Sequence, residues 1–170
     1  IETVGIEGGL IKIGGNITTD GDGNVTLTGP VQLAADNITI DTSSIDGKGG
    51  SSDGGNVRFT DKLDSVTGQA YALTITTKAG TVQVDDIIGS TTALGALTIN
   101  NNATDTGPIT LNGIGDGTAP ALGSADVLIG STGTTGMTLK GAFYDTGAAT
   151  YTTDGADTVS YTHLTLPTRS

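Results

Sequence analysis

Short packets of alternating residues recur along the chain, and they constrain its fold more than any other feature. Each packet begins with Gly, continues with Asn, Thr or Pro, and then alternates aliphatic with polar residues. Alternation with a period of two places the aliphatic side chains on one face of a β-strand and the polar side chains on the other. The packets occupy residues 23–28, 55–60, 80–85 and 107–112.

A second packet has the form aliphatic, Thr, aliphatic, and it alternates with the first at residues 38–40, 73–75, 97–99 and 137–139. A strand with one apolar face cannot bury that face alone, but equivalent packets stacked coil upon coil would bury a continuous aliphatic column. We therefore predict an all-β fold, a parallel β-helix or β-solenoid. An antiparallel β-sandwich of hairpins is the alternative, because short strands with regular turn signals also fit it.

Spacings between equivalent packets vary, since Val25 and Val57 are 32 residues apart and Val57 and Val82 only 25. Loops such as residues 43–54 are therefore expected to bulge from the stack. The packets on the two sides of this loop are of one kind, so we predict no domain boundary there.

Composition supports strands joined by turns. The chain has 28 Gly, no Trp and two Phe, so a core of large aromatic side chains is excluded. Its 35% of hydrophobic residues, arranged in alternation, argue against full disorder. Without Cys, neither disulfides nor cysteine zinc sites can stabilise it, and stability must come from strand stacking.

The charge pattern bears on the partners of the chain. Of 18 acidic residues only Glu2 and Glu7 are Glu, and the remaining Asp residues are typical of turns. The net charge is -11, and the seven basic residues are scattered singly, which argues against nucleic acid and anionic membranes as partners. No apolar run could span a bilayer, so membrane insertion is not expected.

The last twelve residues, 159–170, differ abruptly from the rest because they contain neither Gly nor Asp. They resemble a translation of the transposon-end adapter used in short-read sequencing libraries, and Thr158 and Arg169 fit the flanks of that adapter. We expect residues 1–158 to be the solenoid and 159–170 to be a disordered, non-native tail. His163, the single His, lies in that tail and is assigned no catalytic or metal-binding role.

Whole phrases at residues 15–21, 23–31 and 91–99 resemble the β-strand repeat regions of giant bacterial surface proteins related to filamentous haemagglutinin. The resemblance covers most of residues 14–153 and lies in the repeated sequence pattern rather than in an invariant site. It implies a right-handed parallel β-helix that is exported across the outer membrane and serves as a stalk or adhesive fibre. The secretion-signal and receptor-binding regions of that family have no matching residues here, so no functional residue is carried over.

Calcium is the cofactor that the sequence allows. Asp20, Asp22 and Asn24 have the spacing that opens a calcium loop, because alternate oxygen ligands can converge on one hard cation. The rest of the EF-hand pattern fails, since Val25 and Val31 stand where Gly and Glu are required. Residues 49–57 likewise echo a calcium-binding nonapeptide, with departures at Ser52 and Gly54. Turns between strands are the interpretation that we favour for both segments, so no cofactor is assigned and calcium remains the alternative.

Two further groups of residues were weighed for chemistry. Asp85 and Asp86 are adjacent carboxylates, but neighbouring strand residues point to opposite faces and would not converge without a turn. The aromatic residues outside the tail are expected to fill the core or stack at its edge rather than bind sugars: Phe59, Tyr71, Phe143, Tyr144 and Tyr151.

These observations predict a structural or adhesive stalk segment of a secreted bacterial surface protein, located outside the cell and without catalysis. Its expected partners are neighbouring repeats of the same chain and surface glycans. Because the chain starts at Ile1 without Met, we expect it to begin within a longer protein. A carbohydrate-binding or carbohydrate-active β-helix and a calcium-stabilised module are the alternatives.

Overall fold

The computed structural model describes residues 4–20, 23–44, 54–100, 105–115, 127–131, 136–142, 144–146 and 149–153. No helix long and apolar enough to cross a membrane occurs in these ranges. They contain fifteen strands: β1 (Val4–Glu7), β2 (Ile11–Ile13), β3 (Ile17–Asp20), β4 (Val25–Thr28), β5 (Val31–Leu33), β6 (Ile38–Ser44), β7 (Val57–Phe59), β8 (Leu63–Ser65), β9 (Ala72–Thr76), β10 (Val82–Val84), β11 (Ala96–Ile99), β12 (Ile109–Leu111), β13 (Val127–Ser131), β14 (Met137–Leu139) and β15 (Ala149–Thr153).

The strands form three parallel sheets. Sheet A has the order β1-β4-β7-β10-β12-β14, sheet B the order β2-β5-β8, and sheet C the order β3-β6-β9-β11-β13-β15. The first nine strands visit A, B and C in turn, and the last six alternate between A and C. Each strand pairs in parallel with its counterpart one coil away. The chain is therefore a parallel β-solenoid, and the antiparallel sandwich is excluded for the described strands.

The described strands make six stacked coils. Coils 1 to 3 each contribute one strand to every sheet: β1–β3, β4–β6 and β7–β9. Coils 4 to 6 contribute β10 and β11, β12 and β13, and β14 and β15 to sheets A and C. On the side of sheet B these later coils keep only single bridges, which continue from Leu63 to Ile88, Ile114 and Tyr144.

Aliphatic columns fill the interior, as the packets predict. Val25, Val57 and Val82 are register partners in sheet A and are fully buried. In sheet C, Leu73 and Leu97 stack in the same way, with the outward threonines Thr74 and Thr98 beside them. All four packets of the first kind lie next to one another in sheet A, as β4, β7, β10 and β12, which confirms that prediction.

Two parts of the strand prediction are wrong. Residues 137–139 match the second packet, yet β14 pairs with β12 in sheet A, while the sheet C strand of coil 5 is β13. A third sheet also exists where two kinds of strand were expected. The alternating pattern predicts which face of a strand is buried, but it does not predict which sheet the strand joins.

Buried threonines and glycines form the corner where coils 1 to 3 each pass from sheet C into the next strand of sheet A. The threonine side chains are fully buried, and their hydroxyls satisfy carbonyl oxygens that the turn leaves without a strand partner. The donors and acceptors are matched coil by coil, each over 2.6 Å: Thr19 donates to the Gly23 carbonyl, Thr42 to that of Gly55, and Thr77 to that of Gly80.

Close approach of successive coils explains why the first packet begins with glycine. A Cβ on Gly55 would lie 2.0 Å from the Gly23 carbonyl oxygen, one on Gly80 would lie 2.2 Å from that of Gly55, and one on Gly107 would lie 1.9 Å from that of Gly80. No side chain fits at such distances. The glycine column therefore sets how closely the coils stack at this corner.

We expect Gly80→Ala to destabilise the solenoid by at least about 2 kcal/mol, because its methyl group would push the Gly55 backbone away and strain the coil spacing. Gly15→Ala is the matched control, since a Cβ there meets nothing within 4 Å. Its cost should stay within about 0.5 kcal/mol. Thermal and urea unfolding measure both variants, and equal stabilities would contradict the close approach.

Candidate functional site

A polar groove runs across the outer face of sheet A. Its volume is about 370 Å³. Thr26, Arg58 and Gln83 form its floor as register partners on β4, β7 and β10, so their side chains rise one above another along the stack. The complete lining is Asn24, Thr26, Asn56, Val57, Arg58, Thr81 and Gln83.

An asparagine ladder forms one wall of the groove. The backbone N–H of Asn56 donates to Asn24 Oδ1 over 2.7 Å, and the backbone N–H of Thr81 donates to Asn56 Oδ1 over 2.8 Å. Each side-chain oxygen thus satisfies the backbone of the next coil. The amide nitrogen is the group that each asparagine can offer to a ligand.

Arg58 and Asp85 form the ion pair of the groove. Arg58 Nη2 and Nε lie 2.7 Å and 2.8 Å from Asp85 Oδ2, and Gln83 Nε2 donates to Asp85 Oδ1. Burial by itself raises the pKa of Asp85, but hydrogen bonds from Gln83 and Arg58, with the charges of Arg58 and Lys140, lower it below its ordinary value. Asp85 is consequently ionised at neutral pH.

This arrangement favours hydrogen bonding over proton transfer. An ionised Asp85 cannot donate a proton as a general acid at neutral pH, and its negative charge offsets the charge of Arg58. The remaining groups are amides, hydroxyls and a guanidinium that is about half exposed, repeated at the coil spacing of roughly 4.8 Å. Such a row of donors and acceptors suits a neutral, hydroxyl-rich ligand.

The predicted calcium ligands lie only partly within the described residues. Asp20 is exposed at the end of β3, Asn24 Oδ1 is engaged in the asparagine ladder, and Asp22 lies outside the described residues. In the part of the chain that is described, no group of three or more His, Cys, Asp or Glu could hold a metal ion. Calcium binding at Asp20, Asp22 and Asn24 stays a prediction, and residues 49–53 also fall outside the described ranges.

Asp85 and Asp86 follow the end of β10 and diverge. Asp85 turns back toward Arg58, whereas Asp86 Oδ1 accepts the backbone N–H of Ile87 over 2.7 Å in a local turn. The two carboxylates therefore have separate partners and form no acid–base pair in this turn.

The aromatic side chains lie mainly in the core. Phe59 is fully buried and Tyr144 is 3% exposed, while Tyr71 and Tyr151 are partly buried against the core cluster. The Tyr144 hydroxyl donates to the Leu111 carbonyl over 3.0 Å and accepts the N–H of Gly141, and burial raises its pKa. Phe143 and His163 lie outside the described residues.

Sequence reasoning singled out Asp85 but missed its partners Arg58 and Gln83, and it missed Asn56 in the groove. The signal was present in the packets, because Thr26, Arg58 and Gln83 are each the third residue after the packet glycine. Alignment of the packets on that glycine would have placed these side chains in one row. The pairing of Arg58 with Asp85 additionally requires the turn after β10.

No protein-family model, curated protein or solved structure matches the chain. The parallel β-solenoid class therefore rests on the pairing of its own strands.

We expect the Asp85 pair to make stability depend on pH. The pKa of Asp85 is lower in the folded protein than in the unfolded chain, where it is about 4. The pair therefore stabilises the fold at pH values above the unfolded pKa, and this stabilisation is lost as the pH falls through the folded pKa. At pH 7 the free energy of unfolding of the wild type should exceed that of Asp85→Asn by up to about 1 kcal/mol, because the pair is partly exposed. This difference in stability, the gap between the two proteins, should vanish near pH 2.

Thermal unfolding of both proteins from pH 2 to 7 measures this difference. Asp86→Asn controls for the loss of one negative charge from the same turn, and it retains an acceptor for the Ile87 N–H. A gap between wild type and Asp85→Asn that widens toward low pH would contradict the assignment.

Proposed function

We propose that the chain is a load-bearing spacer of a secreted bacterial surface protein, part of a stalk or adhesive fibre outside the cell. The observation that supports this role is the continuous stacking of six coils, in which sheets A and C run the whole length of the described stack. Such an architecture extends in one dimension, because each coil contacts mainly its two neighbours.

The hydrogen bonds between coils suit this mechanical role. They join parallel strands and run along the stacking direction, so a force along the axis is shared by the two continuous sheets A and C. In coils 1 to 3 sheet B also shares this force. The hydrogen bonds of the buried threonine hydroxyls and the close glycine contacts stabilise the corner between sheets C and A. Each additional coil lengthens the rod by roughly 4.8 Å.

The outer faces support the adhesive part of the proposal. Thr39, Thr74 and Thr98 form a hydroxyl row on sheet C, and the groove on sheet A presents amide, hydroxyl and guanidinium groups. Neutral surface glycans are the partners whose hydroxyls match these groups. In this role the groove binds its ligand and performs no reaction on it.

Removal of one whole coil tests the spacer. Deletion of residues 57–81 joins Asn56 to Val82, which is the register partner of Val57, so β4 can pair directly with β10. We expect a folded protein that is shorter by roughly 4.8 Å, and duplication of the same residues should lengthen it equally. Small-angle X-ray scattering measures the length, and circular dichroism the strand content.

Deletion of residues 57–68 is the matched control, because it removes β7 and β8 but leaves β9 out of step with the coils on either side. This variant should lose its cooperative unfolding transition. A whole-coil deletion that unfolds the protein, or a length that does not follow the number of coils, would contradict the spacer role.

A further inference from the structure

Two parallel rows of side chains give the groove on sheet A a direction. The wall row contains the lining residues that directly precede a sheet A strand: Asn24, Asn56 and Thr81. The floor row contains the register partners two residues farther along the same strands: Thr26, Arg58 and Gln83. The members of each row succeed one another in coils 2, 3 and 4. The groove therefore follows the stacking axis and crosses the strands.

The groove repeats with the period of the solenoid. Each of the three coils contributes one member of the wall row and one member of the floor row, so the same pair of polar positions recurs at roughly 4.8 Å. Within one coil the two positions are two strand residues, or roughly 6.6 Å, apart. A ligand that contacts all three coils in the same way must itself repeat at the coil interval along a straight line. That interval is close to the advance of one sugar in an extended β-linked polysaccharide.

The groups that the two rows offer pair with hydroxyl oxygens. Oδ1 of Asn24 and Oδ1 of Asn56 each accept a backbone N–H of the next coil, which leaves the amide nitrogens as donors for a ligand. Arg58 uses Nε and Nη2 for Asp85, so Nη1 is the guanidinium nitrogen outside that pair. Thr26 adds a hydroxyl, which both donates and accepts. Each coil thus supplies its own hydrogen-bonding groups.

Charge and ring chemistry narrow the class of polymer. Asp85 offsets the charge of Arg58 beside the groove, and the net charge of -11 on the whole chain repels polyanions. The described lining contains no aromatic side chain, so a sugar gains no ring stacking there and is held by its hydroxyls. A few hydrogen bonds to one sugar bind weakly, and a ligand that spans several coils binds more tightly.

We propose that the groove holds an extended, uncharged, β-linked polysaccharide along the stacking axis, with one sugar in each of coils 2, 3 and 4. Each sugar subsite consists of one wall residue and one floor residue. The inference rests on the adhesive part of the proposed function and goes beyond it, because it assigns the polymer class, its direction and the number of subsites. Coil stacking then sets both the length of the rod and the spacing of the subsites.

NMR titration with β-1,4-linked glucose oligosaccharides, from glucose to the pentasaccharide, tests this arrangement. The side-chain amide signals of Asn24, Asn56 and Gln83 report contact with the ligand directly. Affinity should rise about fivefold with each sugar up to the trisaccharide and stay level beyond it, since each sugar adds hydrogen bonds from one coil. The α-1,4-linked glucose oligosaccharides, whose chains coil, and acidic oligogalacturonates are the controls and should bind no better than glucose.

Removal of a single hydroxyl tests one subsite. Thr26→Val keeps a β-branched side chain suited to a strand and should weaken binding of the trisaccharide about fivefold, with unchanged thermal unfolding. Thr110→Val is the matched control, because Thr110 continues the floor row in coil 5, outside the lining of the groove. Its affinity should equal that of the wild type. Equal weakening by both substitutions would overturn the assignment of the subsites.

Deletion of residues 57–81 tests the count of subsites. It keeps Asn24 with Thr26 and joins Asn56 to the strand of Gln83, so two subsites remain and affinity should level off at the disaccharide. Affinity independent of oligosaccharide length, or tighter binding of either control oligosaccharide, would overturn the arrangement of one sugar per coil and leave the spacer role standing. If no β-linked oligosaccharide binds while the rod still shortens by one coil, this proposal and adhesion through the groove both fail, and only the spacer remains.

Discussion

Parallel hydrogen bonding between successive coils, in one fixed register, is the constraint on which the rest of this structure depends. Register places Val57 on Val25 and Val82 on Val57, which makes a column from residues that are 32 and 25 positions apart. The aliphatic interior, the polar outer rows and the asparagine ladder all follow from that alignment.

The sequence predicts sheet A well because three independent signals coincide there. Alternation defines the buried face, the packet glycines meet a backbone contact that no other residue tolerates, and Asn24 and Asn56 bond across coils. Sheet B carries weaker signals. In coils 4 to 6 it is reduced to single bridges such as that at Ile88, which no alternating pattern could reveal.

The groove could be predicted only in part. Asp85 is conspicuous as half of an acidic pair, but its partner Arg58 is 27 residues earlier and approaches only because the coil between them closes. The loops between packets vary in length, so residues that contact each other in neighbouring coils are not separated by a constant number of positions in the sequence. Burial depends on stacking in the same way: Leu27 has register partners on both sides and is fully buried, whereas its partner Ile6 is 37% exposed.

Disulfide trapping of register partners tests the in-register stacking most directly. Thr74 and Thr98 are outward partners on β9 and β11, and adjacent parallel strands bring their Cα atoms to roughly 4.8 Å, within disulfide range. In-register stacking predicts rapid intramolecular oxidation of Thr74→Cys with Thr98→Cys and none of Thr39→Cys with Thr98→Cys, which are two coils apart. Oxidation of both pairs at the same rate, or of neither pair, would contradict the parallel solenoid.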